Sequence, residues 1–202
     1  MEKIDLYKIH KLEYITPKKP RLLQIKPAHY LAISGQGKPG GEKFTTKIGA
    51  LYSVAFTLKM TRKFKGHQDY TIGKLECQWF VDSKKVADQT SQDQWRWKLL
   101  IRTPDFVTQS ELDHTIAALL KKGKEPIIRE VNLELLDENQ CVQMLHIGPY
   151  DQESKTVAIM KSFVEANGLT LKGPHHEIYL SDPRRVPSER LKTILREPVA
   201  IQ

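Results

Sequence analysis

The chain has 202 residues, of which 40% are hydrophobic and 28% charged, a globular rather than a disordered composition. This length allows one or two domains and a core that needs neither disulfides nor metal. Two cysteines, Cys77 and Cys141, exclude a disulfide scaffold and a multi-cysteine zinc module. The apolar runs are too short for a transmembrane helix and the N-terminus lacks a signal-peptide pattern, so we expect a cytosolic protein with no membrane association.

The formal net charge of +8 is concentrated in two segments. Residues 1–26 hold seven basic and three acidic side chains, residues 57–74 hold five and one, and the remainder carries 20 of each sign. Clustered positive charge attracts phosphate, but clusters of this size are also common on solvated loops, and no nucleic-acid-binding motif accompanies them. A nucleic-acid partner is therefore not expected.

Residues 1–20 are polar, basic and end in two closely spaced prolines, which predicts an arm leading into a single domain over residues 21–202. The first half of that domain is predicted to contain a strand, in which Pro27 indicates an edge, a bulge or a break. A glycine-rich loop, an amphipathic helix, a basic loop and two strands are predicted to follow. The corresponding segments are RLLQIKPAHYLAISGQG, GQGKPGG, EKFTTKIGALYSVAFTLK, KFKGHQDY, KLECQWFVD and WRWKLLIRTPDFVT.

A linking helix is predicted over residues 110–123, with Ser110 as its N-cap and Gly123 as its end. The second half is predicted to contain a hairpin-like strand pair, a helix ended by Gly168, a strand, a short helix and a terminal strand. These segments are VNLELLDENQCVQMLHIG, PYDQESKTVAIMKSFVEANG, HHEIYLSDP, PSERLKTILREP and residues 198–202.

The order of elements therefore repeats, which predicts two modules at about 21–108 and 127–202. One short match supports the repeat: LECQWFVD resembles HEIYLSD, and Glu76 and Glu177 are 101 residues apart. The acidic residues Asp82 and Asp182 end the two segments. The match is weak alone but gains weight from the shared order of elements.

Strand alternation brings candidate functional groups onto one face. In HHEIYL it places His175, Glu177 and Tyr179 on one side, while His176, Ile178 and Leu180 form the apolar side expected to meet the helices. Trp95 and Trp97 share a face of another strand by the same argument. Aromatic faces bind flat or cationic ligands, and a carboxylate in an apolar site is a usable base. The alternative is that the tryptophans belong to the core and the glutamate to a solvated face.

Other catalytic or cofactor sites find little support in the sequence. His175 and His176 are adjacent, so on a strand they face opposite ways and cannot chelate one metal together, and the other histidines show no ligand spacing. The segment GQGKPGG matches neither phosphate-binding glycine pattern and reads as a flexible loop over the mouth of the fold, or simply as a loop. No metal and no cofactor are expected, and both cysteines are expected to be buried, inert thiols.

The segments WRWKLLIRTPDFVT, LHIGPYDQE and HEIYLSDPRRVPSERLKTILREPV resemble the GyrI-like small-molecule-binding proteins. These are stand-alone relatives of the effector-binding domains of multidrug-sensing transcription regulators. The resemblance covers about residues 20–200. It implies an α+β fold of two pseudo-symmetric β-α-β-β modules with antiparallel sheet, helices on one face, and a ligand cleft between the modules.

The resemblance also implies site residues. The family's cleft glutamate and tyrosine correspond to Glu177 and Tyr179, and the tyrosine of its GPY motif to Tyr150. The aromatic and acidic residues that would line the cleft are Trp79, Trp95, Trp97, Glu76, Phe80 and Tyr52. The chain departs from the family pattern where Cys77 replaces a glycine and Phe80 a tryptophan, which puts the shape of the pocket in doubt.

Two functions are compatible with this resemblance. Some relatives bind aromatic, often cationic, drugs, and others hydrolyse the cyclopropane ring of DNA-alkylating natural products. A hydrolase would use Glu177 as general base and Tyr179 or Tyr150 as proton donor, whereas a binder or sensor would use the same cleft without chemistry. About 20 residues precede the domain, too few for a helix-turn-helix module, so direct control of transcription is not expected. The sequence leaves the oligomeric state open.

Overall fold

The computed structural model describes residues 2–80 and 92–201. Within these residues the fold is α+β with a large antiparallel sheet of nine strands, which confirms the predicted fold class. The strands are β1 Arg21–Ile25, β2 Ala28–Gln36, β3 Leu75–Phe80, β4 Arg96–Arg102, β5 Asn132–Leu136, β6 Asn139–Ile147, β7 Leu169–Leu171, β8 His175–Tyr179 and β9 Lys192–Ile201. The helices are α1 Leu6–Ile9, α2 Lys11–Tyr14, α3 Glu42–Phe64, α4 Gln109–Lys121 and α5 Glu153–Ala166.

The described residues fall into two compact units. Unit 1 comprises those within residues 1–9, 28–75 and 79–136, and unit 2 those within residues 10–27, 76–78 and 137–202. The predicted division into repeated modules at about 21–108 and 127–202 stays a prediction, and Asp82, on which part of the internal match rests, lies outside the described residues.

Unit 1 is built around β2, which pairs antiparallel with β4 and with β5. Of the three possibilities predicted at Pro27, an edge, a bulge or a break, the structure has the break, because β1 ends at Ile25 and β2 begins at Ala28. The predicted amphipathic helix is α3, whose buried side chains include Leu51, Val54 and Leu58. It continues to Phe64, so the start of the segment predicted as a basic loop is helical.

Helix α4 is capped two residues earlier than the sequence indicated. The N-cap is Thr108, not Ser110: its hydroxyl accepts from the Glu111 backbone N–H, and the Glu111 carboxylate accepts from the Thr108 backbone N–H. This reciprocal capping box satisfies two backbone donors at once, which a serine two residues later cannot do. The helix ends at Lys121, and Gly123 follows with the positive φ that favours glycine.

Unit 2 has the strand order β1-β6-β9-β8, with β7 added to β9. The predicted hairpin around Asp137–Asn139 is wrong. Strand β5 pairs with β2 in unit 1, whereas β6 pairs with β1 and β9 in unit 2, so this turn is where the chain passes from one unit to the other.

The predicted short helix over PSERLKTILREP is also wrong. Only Ser188–Arg190 forms a 3₁₀ turn, and Lys192–Ile201 is the long strand β9. Its residues from Thr193 to Val199 are buried, because β9 is paired on both edges and covered on both faces. Charged Arg196 and Glu197 gave the segment a helix-like polar pattern, but both are buried in ion pairs.

Helix α5 covers the opposite face of unit 2 from the one expected. The alternation of β8 is as predicted, but Met160 and Val164 of α5 pack with Leu195, the register partner of Glu177. The face of Ile178 instead packs against Tyr14 of α2. Helix α5 therefore lies on the side of the sheet that carries Glu177.

Residues 2–20, which belong to the segment predicted as an arm, contain the two short helices α1 and α2. In unit 1, Ile4 makes a parallel bridge with Tyr70 and Leu6 is buried. In unit 2, Tyr14 is buried against Ile178 and Ile194. Across the two described stretches, 2–80 and 92–201, no helix combines the length and apolar character needed to cross a bilayer.

Candidate functional site

Glu177, Tyr179 and His175 lie on one face of β8, as strand alternation predicted, and Glu177 contacts each of the other two. The Tyr179 hydroxyl donates a hydrogen bond to Glu177 Oε2 at 2.7 Å. The Nε2 atom of His175 lies 3.4 Å from Glu177 Oε1, and its Nδ1 atom lies 2.6 Å from Glu197 Oε1. Glu177 is therefore held on both carboxylate oxygens, and His175 bridges two carboxylates.

Glu153, the first residue of α5, joins this group from the covering helix. Its side chain is 7% exposed, and one of its oxygens, Oε1, is buried without a hydrogen-bond partner in the described residues. One ligand atom from each of Glu153, His175 and Glu177 lies within 4.8 Å of the others, so the three could hold a metal ion. We call these residues, with Tyr179 and Glu197, the acidic cluster.

Burial and the charges of neighbouring groups shift the pKa values in the acidic cluster. Burial, followed by the charge of Glu177, raises the pKa of Glu153 to about 9. Burial opposes the charged form of His175, but Glu177 and Glu197 outweigh it and raise its pKa to about 10. At neutral pH, protons on Glu153 and His175 therefore offset the negative charge that several carboxylates would otherwise place in one spot.

Tyr150 lies at the exposed edge of the acidic cluster. Its ring meets that of Tyr179 edge to face, with centroids 5.8 Å apart, and 39% of its surface is exposed. Burial, and then the charges of Glu153 and Glu177, raise its pKa to about 12. Its phenol is therefore protonated at neutral pH and accessible as a donor.

Glu76 belongs to a second, fully buried polar network in unit 2. Its Oε1 accepts from the Tyr14 hydroxyl at 3.4 Å, and its Oε2 lies 3.1 Å from His176 Nε2. His176 Nδ1 then contacts Glu138 at 2.8 Å, and Glu138 also pairs with Arg196 at 2.8 Å. Burial would raise the pKa of Glu138, but these two partners outweigh it and lower the pKa to about 2. The observed partners of Glu76 are protein groups, and a ligand contact by Glu76 stays a prediction.

The predicted aromatic residues form a cluster in unit 1. Phe44 stacks on Trp79 with centroids 5.6 Å apart and meets Trp97 edge to face at 4.8 Å, while Trp79 meets Trp95 at 5.8 Å. We call these four residues the aromatic cluster. The indole N–H of Trp97 donates to the Gly37 carbonyl, whereas those of Trp79 and Trp95 are buried without a hydrogen-bond partner among the described residues.

Two further predicted ligand-binding residues also lie in unit 1. Tyr52 is half-buried on α3, and its ring lies 6.0 Å from that of Phe56. Phe80 ends β3 and is exposed. The structure thus brings Glu177, Tyr179 and Tyr150 together, and separately Trp79, Trp95 and Trp97. Ligand binding by these residues stays a prediction, as does their sharing of one cleft.

Sequence reasoning missed the partners that complete the acidic cluster. Glu153 stands in the segment LHIGPYDQE, but it is buried because the start of α5 brings it next to His175 and Glu177. Glu197 was predicted to lie in a helix, so its position on the same strand face as Leu195, two residues earlier, was not recognised. That strand is β9, which pairs with β8. Both cysteines are free and buried as predicted, and burial raises the pKa of both thiols.

Comparison with models of known protein families gives one match. Residues 99–200, half of the chain, match the model of the GyrI-like small-molecule-binding domain. The chain belongs to the GyrI-like family. The matched stretch of this family member contains all residues of the acidic cluster and Tyr150.

Solved structures show the same relationship. An uncharacterised conserved protein from Listeria innocua is 37% identical to this GyrI-like chain, with a TM-score of 0.91 over 98% of this chain and 100% of that one. Two hydrolase structures from Listeria innocua are 35% and 36% identical, with TM-scores of 0.89 and 0.87 and the same coverage. The C-terminal domain of EcmrR, at 14% identity and a TM-score of 0.57, shares the fold. A comparison with curated proteins found no match.

Proposed function

We propose that this GyrI-like protein hydrolyses electrophilic aromatic compounds of the cyclopropane-containing, DNA-alkylating type, and so detoxifies them in the cytosol. The observation that carries the proposal is the pair Glu177–Tyr179, in which a carboxylate is oriented by a hydrogen bond of 2.7 Å on the face of β8 that also carries His175. Similarity to two proteins named hydrolases, at 35% and 36% identity, supports the reaction class.

In the proposed reaction Glu177 accepts a proton from a water molecule as the water oxygen bonds to a cyclopropane carbon. The carbon–carbon bond of the ring breaks, and its electron pair moves through the conjugated system to a carbonyl oxygen, which takes a proton from a tyrosine. General acid–base assistance of this kind contributes about 10²–10⁴-fold. Water is thereby added across the opened ring, and no other reactant is needed.

We assign the role of proton donor to Tyr150 rather than to Tyr179. The Tyr179 hydroxyl is already engaged with Glu177, so its suitable role is to orient that carboxylate. Tyr150 is partly exposed, and its raised pKa keeps the phenol protonated. In the aromatic cluster, the half-buried Trp95 has ring surface available to a flat ligand, because aromatic side chains bind planar ligands through their faces.

The test is incubation with a cyclopropane-containing alkylator, followed by mass spectrometry for the ring-opened product with one water added. We expect turnover by the wild type, near-complete loss in Glu177→Gln, and unchanged turnover in Glu165→Gln, which alters an exposed carboxylate on α5. Circular dichroism verifies that each variant is folded. Equal turnover by the wild type and Glu177→Gln would remove Glu177 from the mechanism.

The same experiment separates hydrolysis from binding alone. If neither the wild type nor a variant forms product, but tryptophan fluorescence shifts on titration with a planar cation, the protein is a non-catalytic binder of drug-like ligands. The hydrolase proposal is then wrong. The carboxylates of Glu177 and Glu197 would attract a cationic ligand in that case.

A further inference from the structure

Three side chains of unit 2 have the composition and spacing of a transition-metal site. Glu153, His175 and Glu177 each present one ligand atom, and these atoms lie within 4.8 Å of one another. Two carboxylates and one imidazole are ligands that divalent ions from manganese to zinc accept. Proximity alone does not make a metal site, because each group must also be oriented to bind an ion.

His175 is oriented as a histidine ligand normally is. Its Nδ1 atom lies 2.6 Å from Glu197 Oε1, and its Nε2 atom is directed towards Glu177 Oε1 at 3.4 Å. Metal-bound histidines usually donate one ring N–H to a carboxylate, which fixes the ring and leaves the other nitrogen to bind the ion. Glu197 occupies this supporting position.

Glu177 is held in the complementary way. Tyr179 donates to Oε2, while Oε1 is the oxygen that faces His175. One oxygen is thus fixed by a protein donor and the other points towards the space shared with His175 and Glu153. A carboxylate supported on one oxygen is positioned to bind an ion through the other.

Glu153 provides an independent indication of a missing partner. Its side chain is 7% exposed, and Oε1 is buried without a hydrogen-bond partner in the described residues. A buried polar atom without a hydrogen-bond partner destabilises the folded state. A cation beside Glu153, His175 and Glu177 would satisfy this oxygen.

We propose that Glu153, His175 and Glu177 bind a divalent transition-metal ion, with Glu197 and Tyr179 as positioning residues. The nitrogen ligand favours manganese, iron, cobalt or zinc over magnesium or calcium. Three protein ligands leave a coordination position for water, and the 20% exposure of the His175 side chain gives the ion a route from solvent.

This inference goes beyond the proposed hydrolysis and does not depend on it. A metal ion at this position serves either a hydrolase or a binder, since it contributes charge and a coordinated water in both. The test therefore measures binding of the metal itself, and turnover is recorded separately with and without a chelator.

The experiment is titration of Co²⁺ into protein first stripped with EDTA, followed by calorimetry and by the visible absorption of the bound ion. We expect one saturable site in the wild type and in Glu165→Gln. We expect at least tenfold weaker binding in Glu153→Gln and in His175→Gln. Glu197→Gln should keep the site but weaken it about 10–100-fold, as loss of a supporting partner does.

The outcomes are separable. Absence of saturable binding in the wild type, or equal affinity in the wild type and both ligand variants, would overturn the metal site. Full turnover of the alkylator in EDTA alongside Co²⁺ binding leaves both proposals standing. Co²⁺ binding without turnover under any condition overturns only the hydrolase. Circular dichroism confirms the fold of Glu153→Gln, and His175→Gln provides the second variant should Glu153→Gln not fold.

Discussion

Gly35 on β2 and Trp97 on β4 are register partners, and the indole ring of Trp97 lies directly over the Gly35 backbone. A Cβ atom at position 35 would stand 2.2 Å from Cη2 of that ring. The ring cannot easily move, because Trp97 is 1% exposed, its N–H donates to the Gly37 carbonyl and its ring packs edge to face with that of Phe44. The glycine-rich segment is therefore anchored at Gly35 and Gly37.

We expect Gly35→Ala to lower the free energy of unfolding by about 1–3 kcal/mol, because the added methyl group overpacks a rigid neighbour. Urea denaturation followed by far-ultraviolet circular dichroism measures the change. Gly49→Ala is the matched control: it lies in α3, where an added Cβ atom would meet open space, and alanine should stabilise the helix there by about 0.5–1 kcal/mol. Equal effects of the two substitutions would contradict the packing argument.

We expect Trp97 and Trp95 to have different roles, the first in stability and the second in ligand binding. Trp97 is buried and hydrogen-bonded, whereas Trp95 is half-buried and its indole N–H has no partner in the described part of the chain. Trp97→Phe should lower the free energy of unfolding by about 1–3 kcal/mol. Trp95→Phe should leave stability nearly unchanged and weaken the binding of a planar aromatic ligand. Denaturation and fluorescence titration measure the two effects, and the reverse pattern would contradict this assignment.

The elements that the sequence predicted well are those whose signal is local. Helix α5 has apolar residues at helical spacing and a glycine stop, and the alternation of β8 puts His175, Glu177 and Tyr179 together without knowledge of any partner strand. The family resemblance located Tyr150 beside them. For these elements, the chain within one segment contains all the information needed.

Other features depend on contacts with residues that are distant in the sequence. Strand β9 was predicted partly as a helix because Arg196 and Glu197 appear as a polar face, and only their pairing with Glu138 and His175 shows why they are buried in a strand. Glu138 lies 58 residues from Arg196. Neither this pairing nor the burial of Glu153 leaves a pattern in the local sequence.

Glu138 is expected to make stability depend on pH. Its pKa is lowered to about 2 from an ordinary value of 4.5, since His176 and Arg196 outweigh the effect of burial. A lowered folded-state pKa contributes stability that is fully present above about pH 4.5 and is lost as the pH falls towards 2. The wild type should therefore lose stability across this interval through Glu138.

The variant Glu138→Gln tests this contribution. It leaves Arg196 buried without its carboxylate partner, so we expect a loss of about 3–5 kcal/mol at neutral pH. The difference from the wild type should shrink as the pH is lowered from 4.5 to 2, because the wild-type carboxyl group then takes up a proton. Glu189→Gln, which alters an exposed carboxylate, should show no such difference. A difference that stays constant with pH would contradict the assigned pKa.

Tyr150 and Tyr179 are expected to contribute differently to hydrolysis. Tyr150 is the exposed, protonated phenol, so Tyr150→Phe should lower kcat by about 10²–10⁴-fold, as loss of a proton donor does. Tyr179 donates to Glu177, so Tyr179→Phe removes a hydrogen bond to a charged group that contributes about 1.5–3 kcal/mol, or about tenfold to a hundredfold in rate.

Single-turnover assays with the alkylator, read by mass spectrometry, distinguish the two variants, and fluorescence titration verifies that each still binds ligand. Tyr7→Phe is the matched control, because it makes the same substitution in the N-terminal segment of unit 1 and should not affect turnover. Full activity in Tyr150→Phe together with abolished activity in Tyr179→Phe would transfer the donor role to Tyr179. In that case the hydrogen bond from Tyr179 to Glu177 must break before the substrate oxygen can be protonated, and the catalytic geometry would differ from that of the free protein.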